Sequence, residues 1–386
     1  MSRVLFTAAP GIGHVHPMIP LALALVDAGH EVRWAVAPEA CDRVRAAGFQ
    51  ADPAGIDQGP RLAEFRRRYP DAESTLAPTQ LPDVMFPAFF GEICPPPMLA
   101  DLLPIVEDWE PDLYVHDAGE LAAPIAAALT GAPHVTHGFG ALLPERRVAA
   151  GGEAVAGLWK AYGMEVPPYG GSYDYLYLDI YPPSMRPGPA PHVRRALDLR
   201  PVPFDAVPTD GDPALPAPSD RPLVYLTFGT VFNATGGPFA NALAALAALD
   251  VDVIVTVGPR GDPGAVGPQP SNVRVERYLP QTALLPRCAA VVSHAGSGTV
   301  LACLGLGIPQ LCLPQAADQF VNARQAAAVG AAMSLMPDEA SPAAIVGAVT
   351  ILLENPSIAH AAAEVAEEIA AMPGPDQVAA DLEALL

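Results

Sequence analysis

Residues 278–322 of this chain read YLPQTALLPRCAAVVSHAGSGTVLACLGLGIPQLCLPQAADQFVN. The apolar run from Ala289 to Ser293 predicts a strand, and the small residues of HAGSGT lead from it into an apolar helix. Backbone N–H groups at a helix N-terminus lack intrahelical partners and carry the positive end of the helix dipole, so glycines there let an anion approach. The stretch therefore predicts an α/β sheet with an anion site where the strand meets the helix.

A second polar element follows the next apolar run, residues 308–313. Asp318 and Gln319 follow this run, and Asp318 stands 24 residues after His294. A carboxylate beside a carboxamide suits a ligand with several hydroxyl groups, which can donate to one and pair with the other. Phosphate and polyol binding on neighbouring strands together indicate a nucleotide sugar.

Three motifs occur here in a fixed order: the aromatic-x-Pro-Gln of Tyr278–Gln281, the loop that begins at His294, and the Asp318-Gln319 pair. In order and spacing they resemble the donor-binding signature of inverting nucleotide-sugar glycosyltransferases of the GT-B architecture. The resemblance implies an α/β protein with two Rossmann-like domains that face each other across a cleft. Within that family it is closest to the actinobacterial glycosyltransferases that decorate polyketides and other natural products.

The resemblance also implies which residues bind the donor. They are Gly229 and Thr230 at the end of TFGT, Tyr278, Leu279, Gln281, His294, Gly296, Ser297, Gly298, Thr299, Asp318 and Gln319. Tyr278 either stacks on the nucleobase or is a core aromatic residue. Family members that use ribonucleotide donors carry a glutamate eight residues after the loop histidine, and here that residue is Ala302, which favours a dTDP-sugar over a UDP-sugar.

The loop GIGHVHP, residues 11–17, lies between a predicted strand, Val4–Ala8, and a predicted helix, Ile19–Ala28. It is not a dinucleotide fingerprint, because His16 stands where the third glycine would be. It resembles the acceptor-side loop of the same glycosyltransferases, which implies that His14 is the general base. An imidazole suits that task because its ordinary pKa, about 6.5, lies near working pH. His16 is the alternative base, and a third possibility is that both histidines only line a helix start.

A catalytic histidine needs a carboxylate on its other ring nitrogen. Asp117, at the end of the predicted strand in PDLYVHD, is our candidate, and capping the next helix is its alternative role. For the acceptor we name Gly13, His16, Met85, Phe86, Phe89, His137 and Phe139. The last five lie in Gln80–Pro104 and His137–Pro183, which show no strict period, and they could equally anchor loops.

The composition limits the partners. With 42 acidic and 21 basic residues the formal net charge is −21, which argues against nucleic acid or an anionic membrane surface. The five scattered cysteines and the lack of an evident targeting or membrane-spanning segment predict a cytoplasmic protein with reduced thiols. We expect a nucleotide-sugar co-substrate and a small-molecule aglycone as ligands, no metal or other cofactor, and possibly a homodimer.

Proline density between Pro183 and Pro222 predicts a linker without regular elements. The Asp210/Asp212 pair, the nearest match to an Asp-x-Asp metal motif, falls within it. We therefore predict an N-terminal acceptor domain over 1–205, a linker over 206–220, a nucleotide-sugar domain over 221–372, and a C-terminal helix over 373–386 that returns to the first domain as in the resembled family.

The leading hypothesis is an inverting glycosyl transfer to a hydroxyl, or to a carbon, of a bulky aglycone. A non-catalytic helper protein would have no need of His14 and Asp117. A sugar-nucleotide epimerase of the same fold would need acid and base groups around the sugar. A nicotinamide oxidoreductase is disfavoured by the missing third glycine.

Overall fold

The computed structural model describes residues 1–205, 214–215, 219–229, 237–258 and 261–385. The chain forms two compact units. The N-terminal unit comprises Met1–Tyr181, Pro187–Ala206 and Met372–Leu386, and the C-terminal unit comprises Pro182–Arg186 and Val207–Ala371. Most of the predicted linker, including the Asp210/Asp212 pair, lies outside the described residues.

The N-terminal unit is built on a parallel sheet of seven strands in the order β3-β2-β1-β4-β5-β6-β7. The strands are β1 Arg3–Ala8, β2 Glu31–Val36, β3 Gln50–Pro53, β4 Leu113–Asp117, β5 His134–His137, β6 Leu176–Asp179 and β7 Ala196–Asp198. Strands covered on both faces become continuous apolar runs, and β1 is buried from Val4 to Ala8. The predicted strand at Val4–Ala8 is confirmed.

The helices of this unit are α1 Ile12–Val15, α2 Ile19–Asp27, α3 Pro38–Ala46, α4 Gln58–Arg68, α5 Ala72–Thr75, α6 Leu81–Phe86, α7 Pro95–Trp109, α8 Ala123–Thr130 and α9 Glu145–Ala161, with a π-helical stretch at Pro87–Ile93. Three of them, α6, α7 and α9, lie in the two segments whose sequence shows no period. Prolines make the first two hard to predict. Most of them stand in the first helical turn, where no hydrogen bond from the backbone nitrogen is needed, but Pro104 lies inside α7.

Two sequence predictions fail between residues 182 and 198. The short segment Pro182–Arg186 belongs to the C-terminal unit, because the Ser184 amide and hydroxyl both donate to the Glu368 carboxylate, at 2.8 and 2.5 Å. The proline-rich region also contains a strand, β7, at the edge of the sheet beside β6. The run from His192 to Arg200 is free of proline, so its amides are available for strand pairing.

The C-terminal unit repeats the design with a six-stranded parallel sheet, ordered β10-β9-β8-β11-β12-β13. Its strands are β8 Leu223–Thr227, β9 Asp252–Thr256, β10 Val273–Glu276, β11 Ala290–Ser293, β12 Gln310–Cys312 and β13 Ala332–Ser334. Its helices are α10 Gly237–Ala247, α11 Gln281–Leu284, α12 Ser297–Gly305, α13 Gln319–Ala328, α14 Pro342–Glu354 and α15 Pro356–Ala371. The strand predicted before HAGSGT is β11.

The last helix, α16 Pro375–Leu382, packs on α2 and belongs to the N-terminal unit. Val378, Ala379 and Leu382 are buried in that contact region. Two polar contacts hold the segment as well: the Arg200 amide donates to the Pro373 carbonyl at 2.8 Å, and Glu383 lies 3.3 Å from the His30 ring.

Strand order reverses at one place in each sheet, between β1 and β4 in the first and between β8 and β11 in the second. Loops diverge from such a switch point and leave room for a ligand at the carboxyl ends of the strands. His14 follows β1 and Asp117 ends β4, while Gly229 follows β8 and His294 follows β11. The sequence motifs thus occupy the ligand-binding edge of each sheet.

Candidate active site

His14 and Asp117 form a hydrogen-bonded pair at the switch point of the N-terminal unit. His14 Nδ1 lies 3.0 Å from Asp117 Oδ1, and the carboxylate is fully buried while the imidazole remains 17% exposed. Because a carboxylate oxygen can only accept, Nδ1 carries the hydrogen, which leaves the Nε2 lone pair of the neutral ring for a proton from outside. This is the geometry that a general base requires.

The Asp117 carboxylate is held in its charged form. Burial raises its pKa, but His14 and hydrogen bonds from the Ala9 and Gly119 amides lower it by more, so that the net shift is downward. The Asp117 carboxylate therefore contacts His14 and the Ala9 and Gly119 amides, and it does not cap α8. That task falls to Glu120, whose carboxylate accepts from the Ala122 and Ala123 amides.

Glu120 was not predicted. Besides the two amides of α8 it accepts from the Thr7 hydroxyl on β1, at 2.7 Å, so it joins β1 to the loop that follows Asp117. Burial raises its pKa to about 7. Its position three residues after the strand-end aspartate was the one signal in the sequence.

Aromatic side chains flank His14. The ring centroid of Phe139 lies 4.5 Å away and that of Phe90 lies 5.5 Å away. Phe139 was predicted as an acceptor residue and Phe90 was missed. Phe86 is a second-layer residue here, in contact with Phe90 at 5.1 Å.

The other predicted acceptor residues are dispersed. Phe89 is turned toward the Arg61 guanidinium, 4.5 Å from its ring, and toward Phe65, while Met85 is half-buried in the same apolar cluster. Gly13 is exposed on α1. His137 ends β5 in register with Asp117 on the neighbouring strand, which places it beside the His14–Asp117 pair.

His16, the alternative base, is set apart from Asp117 by its contacts. Its ring meets the Phe204 ring edge-on, with 5.4 Å between centroids. Burial lowers its pKa to about 4, with a smaller contribution from Arg43 in the same direction. The structure thus pairs His14, and not His16, with Asp117.

In the C-terminal unit, the His294 ring lies between two glycines. A Cβ at Gly229 would stand 2.6 Å from Cε1 of the ring, and one at Gly296 would stand 2.7 Å from Nε2. Phe228 stacks on the ring at 6.3 Å. Burial lowers the pKa of His294 to about 4, so the ring is neutral at pH 7.

Helix α12 begins directly beyond this histidine. Its N-cap, Gly296, has no side chain to satisfy the first-turn amides, which are those of Ser297, Gly298 and Thr299. Space around Gly298 is open, because a Cβ there would meet nothing within 4 Å. The turn can accept an anion on its amides, as helix N-termini do.

A polar network joins this turn to the Asp318-Gln319 pair. The Ser297 hydroxyl donates to Asp318 Oδ2 at 2.6 Å, and Asn322 Nδ2 lies 3.0 Å from the same oxygen and from the Ala295 carbonyl. Ser297 therefore offers its amide and not its hydroxyl to an anion. Gln319 Oε1 accepts from the Gln315 and Ala316 amides, which leaves the NH₂ end of its side chain for a ligand.

The predicted donor residues that follow β10 differ in which of their atoms are available to a ligand. Tyr278 is half-buried, and Gln281 Nε2 donates to the Tyr225 hydroxyl at 3.4 Å. The Leu279 side chain is 1% exposed in the apolar core, so only its backbone is available to a ligand. Thr230 lies outside the described residues.

Among the described residues, no group of three or more His, Cys, Asp or Glu side chains could hold a metal ion. One helical stretch there, Leu81–Trp109, is long and apolar enough to span a membrane, and so is the bent helix pair that begins at Pro342 when it is taken as one span. The first is 56% buried over its most apolar window, as a core helix is.

Family models identify the chain. The N-terminal domain model of the erythromycin biosynthesis protein CIII-like family matches residues 23–205, and the C-terminal model matches residues 240–385. The chain is a glycosyltransferase with two parallel-sheet α/β domains of the GT-B type. It belongs to the erythromycin biosynthesis protein CIII-like family of natural-product glycosyltransferases.

Individual relatives cover its whole length. The elloramycin glycosyltransferase ElmGT of Streptomyces olivaceus is 33% identical, with 98% of this chain and 96% of that protein aligned. The aklavinone 7-beta-L-rhodosaminyltransferase of Streptomyces galilaeus is also 33% identical, with 99% of this chain and 95% of that protein aligned. The crystal structure of SsfS6 from Streptomyces sp. SF2575, complexed with thymidine diphosphate, superposes with a TM-score of 0.80 at 25% identity over 100% of both chains.

Proposed function

We propose that the protein transfers a deoxysugar from a dTDP-sugar to a hydroxyl group of a bulky aglycone, with inversion at the anomeric carbon. The observation that carries the proposal is the His14–Asp117 pair, with 3.0 Å between Nδ1 and Oδ1 and a fully buried carboxylate. A protein that only lent its fold to a partner enzyme would have no use for this base, and an epimerase would need acid and base groups around the sugar.

His14 Nε2 takes the proton of the acceptor hydroxyl while that oxygen attacks the anomeric carbon, and the bond from this carbon to the diphosphate oxygen breaks. Asp117 fixes the tautomer of His14 and stabilises the imidazolium that forms. The base lies in the N-terminal unit and the donor contacts lie in the C-terminal unit.

The leaving diphosphate gains negative charge as the bond breaks. We assign its stabilisation to the first-turn amides of α12 and to the His294 ring, which burial holds in a position flanked by Gly229 and Gly296. This set of donors needs no metal ion. Asp318 and the NH₂ end of Gln319 are assigned to the sugar hydroxyls.

Thymidine diphosphate in the similar SsfS6 structure supports a dTDP-linked donor. Ala302 agrees with it, since residue 302 lies within α12 and carries no carboxylate for a ribose 2′-hydroxyl. The acceptor named for a similar protein, aklavinone, supports a natural-product aglycone as the acceptor.

Donor binding is tested by calorimetry with dTDP and UDP on the wild type, His294→Ala and His360→Ala. Losing a hydrogen bond to a charged group weakens binding by about 1.5–3 kcal/mol, so dTDP affinity should fall roughly 10- to 100-fold in His294→Ala. His360 is exposed on α15 and its substitution should change nothing. If the wild type binds neither nucleotide, the proposal is refuted.

Catalysis is tested with aklavinone and dTDP-activated L-rhodosamine, the product being identified by mass spectrometry. Substituting His14→Ala should abolish transfer while dTDP still binds with wild-type affinity. Full activity in that variant would exclude His14 as the base.

A further inference from the structure

Asn322 contacts both loops that carry the donor residues of the C-terminal unit. It stands four residues after Asp318, so the two side chains lie on one face at the start of α13. Its Nδ2 lies 3.0 Å from the Ala295 carbonyl, from Ser297 Oγ and from Asp318 Oδ2. The side chain is fully buried, so water does not compete for these contacts. One amide group thus reaches both the turn before α12 and the carboxylate assigned to the sugar.

Ala295 has a backbone conformation that needs support. Its φ is 64°, in the left-handed region that a residue with a Cβ adopts only where its surroundings impose it. Side chains hold both of its backbone polar groups: the amide donates to Ser293 Oγ at 3.1 Å, and the carbonyl accepts from Asn322. Ser293 ends β11 and Asn322 lies in α13, so this residue is anchored to the sheet and to a helix. Without Asn322, one of the two anchors would be lost.

The Ala295 peptide sets the direction of the turn that follows it. A trans peptide is planar and its carbonyl and N–H point in opposite directions, so a fixed Ala295 carbonyl also fixes the direction of the Gly296 N–H. Gly296 is the N-cap of α12, with φ of −64° and ψ of 140°, and the same peptide therefore fixes how the chain enters the helix. The direction of the first-turn amides of α12 thus depends on where the Ala295 carbonyl is held.

A second left-handed residue lies on the other side of Asn322. Ala317, directly before Asp318, has φ of 56°. Ala295 and Ala317 are the two non-glycine residues with positive φ in the part of the C-terminal unit that the structure describes. Backbone strain of this kind concentrates at ligand sites and persists only where the surrounding structure holds it. Here Asn322 Nδ2 contacts the carbonyl of one strained residue and the side chain that follows the other.

We infer that Asn322 is a positioning residue for donor binding. It holds the Ala295 carbonyl so that the first-turn amides of α12 meet the diphosphate, and it holds the Asp318 carboxylate beside them for the sugar. It acts without touching the donor, because the two hydrogens of its amide already face three protein acceptors. The inference rests on the proposed function and adds a residue to which that function gives no role.

The test compares Asn322→Ala with Asn241→Ala. Asn241, on α10 of the same unit, also donates from its side-chain amide to an alanine carbonyl, that of Ala340 at 2.9 Å, but it lies outside the donor motifs. A third variant combines Asn322→Ala with Ala295→Gly, which removes the Cβ that makes the left-handed conformation unfavourable. The thermal midpoint without ligand and the dissociation constant of dTDP are measured for each variant and for the wild type.

Asn322→Ala should bind dTDP roughly 10- to 100-fold more weakly, which corresponds to one lost hydrogen bond to a charged group. Asn241→Ala should also lower the thermal midpoint, but it should bind dTDP with wild-type affinity. The double variant should bind dTDP about fivefold or more tightly than Asn322→Ala, because glycine adopts the left-handed conformation without the cost that alanine bears. A purely structural role for Asn322 would predict no such rescue.

Wild-type dTDP affinity in Asn322→Ala would overturn the inference. A double variant that binds dTDP no better than Asn322→Ala would overturn it too, since the loss would then not come from the Ala295 backbone. If Asn322→Ala does not fold, Asn322→Asp keeps the size of the side chain and removes its hydrogens, and wild-type dTDP affinity in that variant would be equally fatal. A wild type that binds no dTDP would refute the proposed function, whereas failure of the inference alone leaves wild-type binding intact.

Discussion

Substituting Gly229→Ala should damage the donor site through a defined steric contact. The new Cβ would lie 2.6 Å from Cε1 and 2.9 Å from Nε2 of His294, both well inside van der Waals contact. The ring cannot move freely, because Gly296 also approaches its Nε2 and Cε1 atoms and Phe228 stacks on it. Residue 229 also has φ of 70°, a left-handed conformation that raises the free energy of any residue with a Cβ.

The expected loss of folding stability has two parts. The left-handed backbone costs alanine about 1–2 kcal/mol. Overpacking of a tightly filled site costs about 1–3 kcal/mol more. Gly131→Ala isolates the first part, since residue 131 has φ of 76° and a Cβ there would meet nothing within 4 Å.

Scanning calorimetry should therefore show Gly229→Ala losing roughly 2–5 kcal/mol of stability and Gly131→Ala roughly 1–2 kcal/mol. For a domain of 150–250 residues each kcal/mol lowers the midpoint by about 2–4 °C. Titration of dTDP should show a loss in Gly229→Ala as large as that in His294→Ala. Equal midpoints for the two glycine variants, together with wild-type dTDP affinity in Gly229→Ala, would refute the steric reasoning.

Two further predictions concern buried ionisable groups. Asp117→Asn should lower kcat by about 10³- to 10⁴-fold at unchanged dTDP affinity, because an amide stabilises neither the required tautomer of His14 nor its imidazolium. Steady-state kinetics measure kcat for this variant and for Asp112→Asn, a control from the same segment. Normal kcat in both variants would contradict the prediction. Acid should destabilise the fold through His116 and His134, whose ring nitrogens lie 3.1 Å apart and whose pKa values burial lowers to about 4 and about 3. The unfolded chain binds protons at these two sites from about pH 6.5 downward and the folded protein does not, so their contribution should be complete above pH 6.5 and decline toward pH 4 by up to about 1.4 kcal/mol per pH unit for each histidine. Urea midpoints measured across that range should fall less steeply in His134→Gln, and an equal slope would count against the assignment.

Much of the site could be predicted because its residues follow strands. In a parallel sheet a residue that ends a strand must lie at the carboxyl edge, so short motifs place His14, Asp117 and His294 without knowledge of packing. The roles within each motif were less accessible. The Ser297 hydroxyl, for example, donates to Asp318, and this bond depends on side-chain rotamers and on a partner 21 residues away.

The acceptor side was largely beyond prediction. Phe90 comes from a segment without periodicity, where tertiary contacts decide which ring turns toward His14. Leu279 lies inside a strong motif, yet its side chain is core. Strand β7 was not predicted, because the high average proline content of the region does not reveal a short proline-free run within it.

The position of α16 has a consequence for biogenesis. Synthesis proceeds from the N-terminus, and domains generally fold as they emerge. Here the helix that packs on α2 is made after the second unit, so Val378 and Leu382 reach their places in the first unit only after the second unit has left the ribosome. Until then the surface of α2 stays uncovered in the nascent N-terminal unit, and a stop codon before Pro375 would weaken the half of the protein that was translated first.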